Sequence, residues 1–475
     1  MPNRIYTRTL AVLTGLAALN AAGALPPALA QHEVAKLRAT DRAAGDYLGR
    51  CVAISEDTVV VGAYLDDDNG TDSGSAYVFG LDGSRWVQQA KLRAFDGAPD
   101  DWFGYSVAIS GNVAVIGADR DDDLGIKSGS AYVFRFDGSK WVAEAKLLPA
   151  TGGANDHLGK SVAVCGDTAV VGAPFDDDNG TDCGAAYVFH YDGWGWVEQA
   201  KLQASDGATD DLFGYIYSVA VSGNVVIVGA QGGDDNGYAS GSAYIFRYDG
   251  SRWVEEAKLL PADGAAGDIF GFSVAISDDT AIIGAHRNDD NGADSGSAYV
   301  FRYDGSRWLE EAKLLASDAG PRRRFGYCVP ISGNTVVIGA YQDDDKGAGS
   351  GSAYLYRFDG FSWIEQAKLL ASDGAADDWF GYSAALSGDT AVIGAFRHDD
   401  NGPDSGAAYV FELTPACAGD IDGDGDTDGT DLEILLGDWG CLGGGHASDL
   451  DGDGDRDQRD LELLLANYNC GSSIR

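Results

Sequence analysis

The chain has 475 residues and a formal charge of −41, with 67 glycines and a single methionine at position 1. That length exceeds what one ordinary core fills, so the fold is either several domains or one large repeat architecture. The charge excludes nucleic acid as a partner, because DNA and RNA are held by clustered Lys and Arg that release counterions, and the wealth of Gly and aromatics suits short strands and tight turns better than helices.

At the N-terminus, Arg4 and Arg8 precede an apolar stretch from Leu10 to about Leu25, and Ala28-Leu29-Ala30 follows as a small-x-small cleavage site. This is the pattern of an export signal. Residues 1–30 are expected to be removed, leaving a secreted, extracellular or cell-surface protein that begins near Gln31. The apolar run is short and contains Asn20 and Pro26, and no later stretch is apolar enough to span a bilayer, so no transmembrane segment is expected in the mature chain.

From there a repeat organises the chain. Phe-Gly or Leu-Gly recurs at Leu48, Phe103, Leu158, Phe213, Phe270, Phe325 and Phe380, at intervals of 55 residues and once 57. Gly-Ala keeps step from Gly62 to Gly394, and Ala-Tyr from Tyr77 to Tyr409. Within the second copy, Ser106 to Ser110 and Val113 to Ala118 read as strands joined by the Gly111-Asn112 turn. Both are almost wholly apolar, which suits strands packed on two faces. Ser130 to Phe134 is the third strand, and Asp137-Gly138 turns it into a fourth from Trp141 to Leu147. Strict alternation would put Trp141, Ala143, Ala145 and Leu147 on one side and Val142, Glu144 and Lys146 on the other. The Trp series at 86, 141, 196, 253, 308 and 363 is expected in the blade core rather than as sugar-stacking platforms.

Runs of aspartate sit between the second and third strands: Asp66 to Asp68, Asp121 to Asp123, Asp176 to Asp178, Asp234-Asp235, Asp289-Asp290, Asp343 to Asp345 and Asp399-Asp400. Their spacing does not fit an EF-type loop. They share a face with the links between repeats, such as Asp206 to Asp211, so one face is expected to be strongly acidic. It would be either a solvated rim or a surface for a ligand or weakly held cations.

The ends of the repeat array carry the topology. A Trp to Ala-Lys-Leu strand follows Ala-Tyr in six units, but after Tyr409 the chain runs to Pro415 without one. Val34-Ala35-Lys36-Leu37 matches the missing strand. The N-terminal strand is therefore expected to complete the seventh unit and close a ring, removing free sheet edges. These residues resemble the FG-GAP repeats of integrin α-subunit propellers, over roughly residues 32 to 413. The resemblance implies a mainly β fold, a seven-bladed β-propeller over residues 31–414, used to bind proteins or glycans without a common chemistry. Integrin-type repeats often hold calcium between their first two strands; here that link is only two residues, such as Glu56-Asp57 or Gly166-Asp167, which leaves no such loop.

After Pro415 the composition turns to Asp, Gly and Leu, and a second domain, residues 415–475, is expected. Asp420, Asp422, Asp424, Asp428 and Asp431 occupy positions 1, 3, 5, 9 and 12 of a calcium loop, with Gly425 at the turn and the carbonyl of Asp426 at position 7. The pattern returns with Asp449, Asp451, Asp453, Asp457 and Asp460 as side-chain donors and Asp455 at position 7. Two calcium ions are expected. Each loop runs into a short amphipathic helix, with Leu432, Leu435, Leu436 and Trp439 in one and Leu461, Leu464, Leu465 and Tyr468 in the other. The duplicated loop-helix resembles type I dockerins, most closely a cysteine-flanked bacterial variant, which implies anchoring to a cohesin-like or envelope protein. It departs from that pattern at Thr427 and Arg456, where dockerins carry an aliphatic residue, and at the recognition pairs, here Gly429-Thr430 and Gln458-Arg459.

Cys51 and Cys328 replace a first-strand Ser in separate repeats and are expected as buried thiols, while Cys165 and Cys183 are too far apart to bridge. Cys417, Cys441 and Cys470 allow at most one bridge in the tail. No zinc-type His pair, nucleophile elbow or phosphate-cradling motif is present, and no enzymatic activity is expected. The sequence reads as a non-catalytic binding or adhesion protein; the alternative is a glycan-binding or carbohydrate-active component of a dockerin-organised complex.

Overall fold

The structure, a computed structural model, describes residues 32–413 and, beyond them, residues 421, 427, 429–438, 448, 450 and 458–466. The export signal, the cysteines of the tail and ten of the twelve calcium-loop aspartates lie outside the described residues. The chain divides into a unit spanning Leu29–Thr414 and a second that contains the C-terminal residues from Pro415.

The first unit is seven four-stranded antiparallel sheets, each built from consecutive strands except the last. Blade two is typical, with strands Phe103–Ser110, Val113–Ala118, Ser130–Phe136 and Trp141–Leu147. Blade seven takes Ser383–Ser387, Thr390–Ala395 and Ala407–Glu412 from the end of the array and His32–Leu37 from its beginning. The closing strand pairs Lys36 with Tyr409 and Leu37 with Ala408, the register that pairs Lys91 with Tyr77 and Leu92 with Ala76 in blade one. The expected ring is therefore present.

The repeated dipeptides mark where blades meet. Gly104 has φ near +90°, and a Cβ there would lie 2.2 Å from the carbonyl oxygen of Ser75 in the preceding blade. A Cβ on Gly62 would lie 2.0 Å from the carbonyl oxygen of Gly104. Only glycine lets the two backbones approach this closely. The seven Tyr of the Ala-Tyr dipeptide and four of the Phe of Phe-Gly are the largest fully buried side chains. They fill the wedge between neighbouring sheets, edge to face, as in the 5.4 Å contact of Phe103 with Tyr132.

The outer strand departs from strict alternation. Phe134 pairs with Ala143 and Val133 with Ala145, so Glu144 is an extra residue and the strand carries a bulge. Side chains switch faces there. Leu147 packs with Ala131 and Val133 towards blade three, whereas Trp141 lies with Tyr132 and Phe134 towards blade two's other neighbour. Trp141 and Leu147 are thus on opposite sides, not the same one. The same irregularity appears in every blade, including the closing strand between Glu33 and Ala35. All six tryptophans of the series belong to or pack against inter-blade core clusters, as expected. Blade six has the shortest inner strand, Ile331–Ser332, because Pro330 removes an N–H from it.

In the C-terminal unit, helices α1 (Gly429–Gly437) and α2 (Gln458–Ala466) bury Leu435 and Leu464 against each other with Ile421. Leu432 and Leu461 pack beside them, but Leu436 and Leu465 are each 53% exposed, so the apolar stripe is narrower than its spacing suggests. Asp431 and Asp460 are buried at equivalent places, accepting the N–H of Ile421 and of Leu450, both at 2.6 Å. Cys51, Cys165, Cys183 and Cys328 are free thiols, with Cys51 and Cys328 buried.

Candidate binding face

The links between blades and the aspartate runs lie on one face, as expected, but in blades one, two, three and six the first carboxylate of the run, Asp66, Asp121, Asp176 or Asp343, is not solvated. In blade six, Asp343 is 0% exposed and accepts hydrogen bonds from Tyr354 Oη and Ser352 Oγ, both at 2.8 Å. Lys368 Nζ lies 2.7 Å from it, 2.7 Å from Asp345 and 2.6 Å from Asp318 of the preceding link. The Ala-Tyr tyrosine, the Ala-Lys-Leu lysine and the aspartate run thus converge on one point. Blades one and two repeat the arrangement with Asp66, Tyr77 and Lys91 and with Asp121, Tyr132 and Lys146.

Three carboxylates around one centre look like a metal's ligand set, yet the centre is an ammonium nitrogen. Burial alone would lower the pKa of Lys91, but its hydrogen bonds to Asp41, Asp68 and Asp66 outweigh it and hold the ammonium above its ordinary range. The tyrosines are pushed well above theirs, first by burial and then by the carboxylates beside them. The expectation of a solvated rim is corrected for these residues: the lysine that neutralises them comes from the outer strand, about 25 residues on. The second and third aspartates of each run remain exposed or half-exposed.

Closer to the axis the chemistry changes. The residue before each Phe-Gly or Leu-Gly is left-handed in all seven blades, with φ from 55° to 58° at Tyr47, Trp102, His157, Leu212, Ile269, Arg324 and Trp379. In blades one, two, three, five and seven its carbonyl accepts a turn hydrogen bond from the residue three further on, as from Tyr105 N–H to Trp102 at 3.2 Å. For residues with a Cβ this backbone costs roughly 1–2 kcal/mol each. It is imposed by a uniform framework on side chains that differ from blade to blade.

Those side chains and their neighbours form an aromatic arc. Trp379 meets Phe396 at 5.6 Å, Phe396 meets Tyr47 at 5.4 Å, Tyr47 meets Tyr64 at 5.8 Å and Tyr64 meets Trp102 at 5.2 Å, crossing blades seven, one and two. An arginine lies over each tryptophan: Arg120 is 3.2 Å from the Trp102 ring centre and Arg397 is 4.3 Å from that of Trp379, past which the ring contacts continue to Tyr341 at 5.1 Å. Burial pushes the Tyr64 hydroxyl up to about 12, so it stays neutral.

Seven segments of the chain, residues 32–79, 86–134, 141–189, 196–246, 253–301, 308–356 and 363–411, match the FG-GAP repeat, and together they cover more than half of it. The chain belongs to the FG-GAP repeat family. Each FG-GAP match opens on the outer strand of one blade and closes on the third strand of the next, so the first match includes the closing strand. None of the curated proteins matches the chain. Among solved structures, a chain from "Crystal Structure of Mitotic Checkpoint Complex" is similar at 12% identity, over 86% of this chain and 99% of that one, with a TM-score of 0.48. That likeness is too distant to support any inference.

The arc of this FG-GAP propeller was not foreseen. Its signal was available in the repeat itself, because the residues flanking Phe-Gly and following Gly-Ala are the ones that vary while the dipeptides do not. Of the twelve aspartates expected to hold calcium, Asp431 and Asp460 are described, and both are buried at the position-12 place of their loops. Asp420, Asp422, Asp424, Asp426, Asp428, Asp449, Asp451, Asp453, Asp455 and Asp457 lie outside the described residues. Thr427, at the position dockerins fill with an aliphatic residue, is fully buried.

Proposed function

We propose that the protein is an exported, non-catalytic binding or adhesion protein whose propeller presents its ligand surface around the axis and whose C-terminal unit is a calcium-dependent, dockerin-like anchor. The carrying observation is the aromatic arc whose two tryptophans are each covered by an arginine, set at variable positions on an otherwise repeated framework. Trp, Tyr and Arg are the residues that dominate protein interfaces, because they contribute large rigid contact area together with charge. A protein ligand is favoured over a glycan for a geometric reason. The guanidinium groups of Arg120 and Arg397 already cover faces of Trp102 and Trp379 on which a sugar ring would stack.

The anchor reading rests on the two loops that bury Asp431 and Asp460 in the same way and on the two helices packed through Leu435 and Leu464. Calcium would be held by Asp420, Asp422, Asp424, Asp428 and Asp431 and by Asp449, Asp451, Asp453, Asp457 and Asp460, with a cohesin-like or envelope protein as partner. The decisive experiment compares the intact protein with a Trp102→Ala/Trp379→Ala variant in pull-downs from the secreted proteome, on a glycan array and in polysaccharide hydrolysis. Capture of a defined protein that the variant loses is expected; glycan binding that the variant loses would replace the protein reading with a lectin, and turnover would replace both.

A further inference from the structure

Below the arc, the axis of the wheel is a shaft of about 260 Å³ lined by the innermost strand of all seven blades. Each of those strands is the innermost of its sheet and has a sheet neighbour on one side only. The wall is otherwise small and aliphatic, with residues such as Ala53, Ile109 and Val164. At the end where the strands begin, the lining changes to Arg50, Tyr105, Lys160 and Tyr217.

Arg50 is 4% exposed, and among the described residues it forms no ion pair with a carboxylate. The six other blades carry Tyr, Phe or Lys at its place, namely Tyr105, Lys160, Tyr215, Phe272, Tyr327 and Tyr382. Its guanidinium lies 4.4 Å from the Tyr105 ring centre and 4.8 Å from that of Tyr382, and it donates to Tyr217 Oη at 3.0 Å. Tyr217 belongs to the two-residue lengthening of blade four; its hydroxyl in turn donates to the Arg50 carbonyl at 2.7 Å, spanning the axis. Asp119, which lies near Tyr105, pairs through Oδ2 with Lys160 at 2.7 Å and His157 at 3.2 Å rather than with Arg50. Burial keeps the surrounding tyrosines protonated, so none of them supplies a negative charge. Cation–π contacts recover part of the cost of burying a charge, but they do not neutralise it.

We infer that the shaft binds a small carboxylate, seated fork to fork on Arg50, whose guanidinium the Tyr217 oxygen holds in place. A planar guanidinium matches a carboxylate through two parallel hydrogen bonds. This site adjoins the arc, with Arg50 5.9 Å from the Tyr64 ring centre, but does not depend on what the arc binds.

The test uses the full chain and acetate as probe, with chloride at matched ionic strength as control. Binding to the folded state alone raises stability by RT ln(1 + [L]/Kd), so the melting temperature should climb logarithmically once acetate exceeds Kd. Acetate should shift the wild-type transition while chloride does not, and labelled acetate should show saturation transfer from the protein. Arg50→Lys keeps the charge and loses the fork; it should weaken binding at least tenfold, and Arg50→Met should abolish it. If Arg50→Met does not fold, Arg50→Lys and Tyr217→Phe, which should each weaken binding, carry the comparison. No shift with acetate, an equal shift with chloride, or undiminished binding in Arg50→Lys would overturn the assignment.

Discussion

Asp343→Ala is the sharpest test of how the blades are held. The substitution removes the acceptor of Tyr354 Oη and Ser352 Oγ and one of three carboxylates around Lys368, all at a site with no solvent exposure. Arg323, which also pairs with Asp343, loses its partner too. Removing one member of a buried ion pair costs about 3–5 kcal/mol where the remaining groups stay desolvated without partners; Lys368 keeps Asp318 and Asp345 and Tyr354 keeps Asp318, so the lower end, about 3 kcal/mol, is expected. For a unit of this size that corresponds to a fall in Tm of roughly 4 °C. Asp343→Asn should cost less, about 1–2 kcal/mol, since an amide oxygen still accepts from the hydroxyls. Blade five is the natural control: Asn288 stands at the same place, and Tyr299 and Lys313 turn to Asp263 instead. Burial opposes ionisation of Asp343, but Lys368, Ser352 and Tyr354 outweigh it and hold its pKa below the usual value. Its contribution is therefore present above about pH 4 and lost as pH falls through the folded value. Urea denaturation of wild type, Asp343→Ala and Asp343→Asn from pH 7 to pH 3 measures all of this. A loss below about 0.5 kcal/mol for Asp343→Ala at pH 7, or a gap that fails to narrow in acid, would refute the reasoning.

Three further outcomes follow from the same geometry. Leu37→Ala, in the closing strand, should destabilise the propeller by about 2–5 kcal/mol, and deletion of residues 32–37 should open blade seven to proteolysis near Tyr409, read by mass spectrometry of the first cut. His398 replaces the buried aspartate in blade seven; burial would lower its pKa, but Asp378 and Asp400 raise it despite Lys36 nearby. The charged form is the favoured one, so this stability is complete below about pH 6.5 and declines as pH rises through the folded value; His398→Asp should flatten the dependence of Tm on pH between about 6 and 8. Chelation by EDTA should abolish the helical circular dichroism of a fragment beginning at Pro415, with an unchanged spectrum counting against calcium, and should leave the melting of the propeller unmoved because lysines occupy its acidic centres.

The ring was legible in the sequence because its signals are periodic: Phe-Gly, Gly-Ala and Ala-Tyr each mark a contact that every blade must make. Closure was legible because one strand was missing at one end and surplus at the other. The bulge at Glu144 was not, since an extra residue in a strand leaves the residue types unchanged and only shifts which face they take. The buried lysine–aspartate centres were hidden for a different reason. Charge runs ordinarily mean solvent, and the partner that withdraws Asp66 from water, Lys91, stands two strands away. The aromatic arc brings together Tyr47 and Phe396, about 350 positions apart, at places that vary from repeat to repeat, so the periodic signals pass over it.

The last strand of the propeller, Ala407–Glu412, is not at the margin of its sheet; it lies between His32–Leu37 and Thr390–Ala395 and is bonded to both. Tension entering the wheel from its C-terminal side therefore cannot unzip it one rung at a time from an open border. It must shear two ladders together, which makes the point where the chain leaves the propeller mechanically its best-secured one.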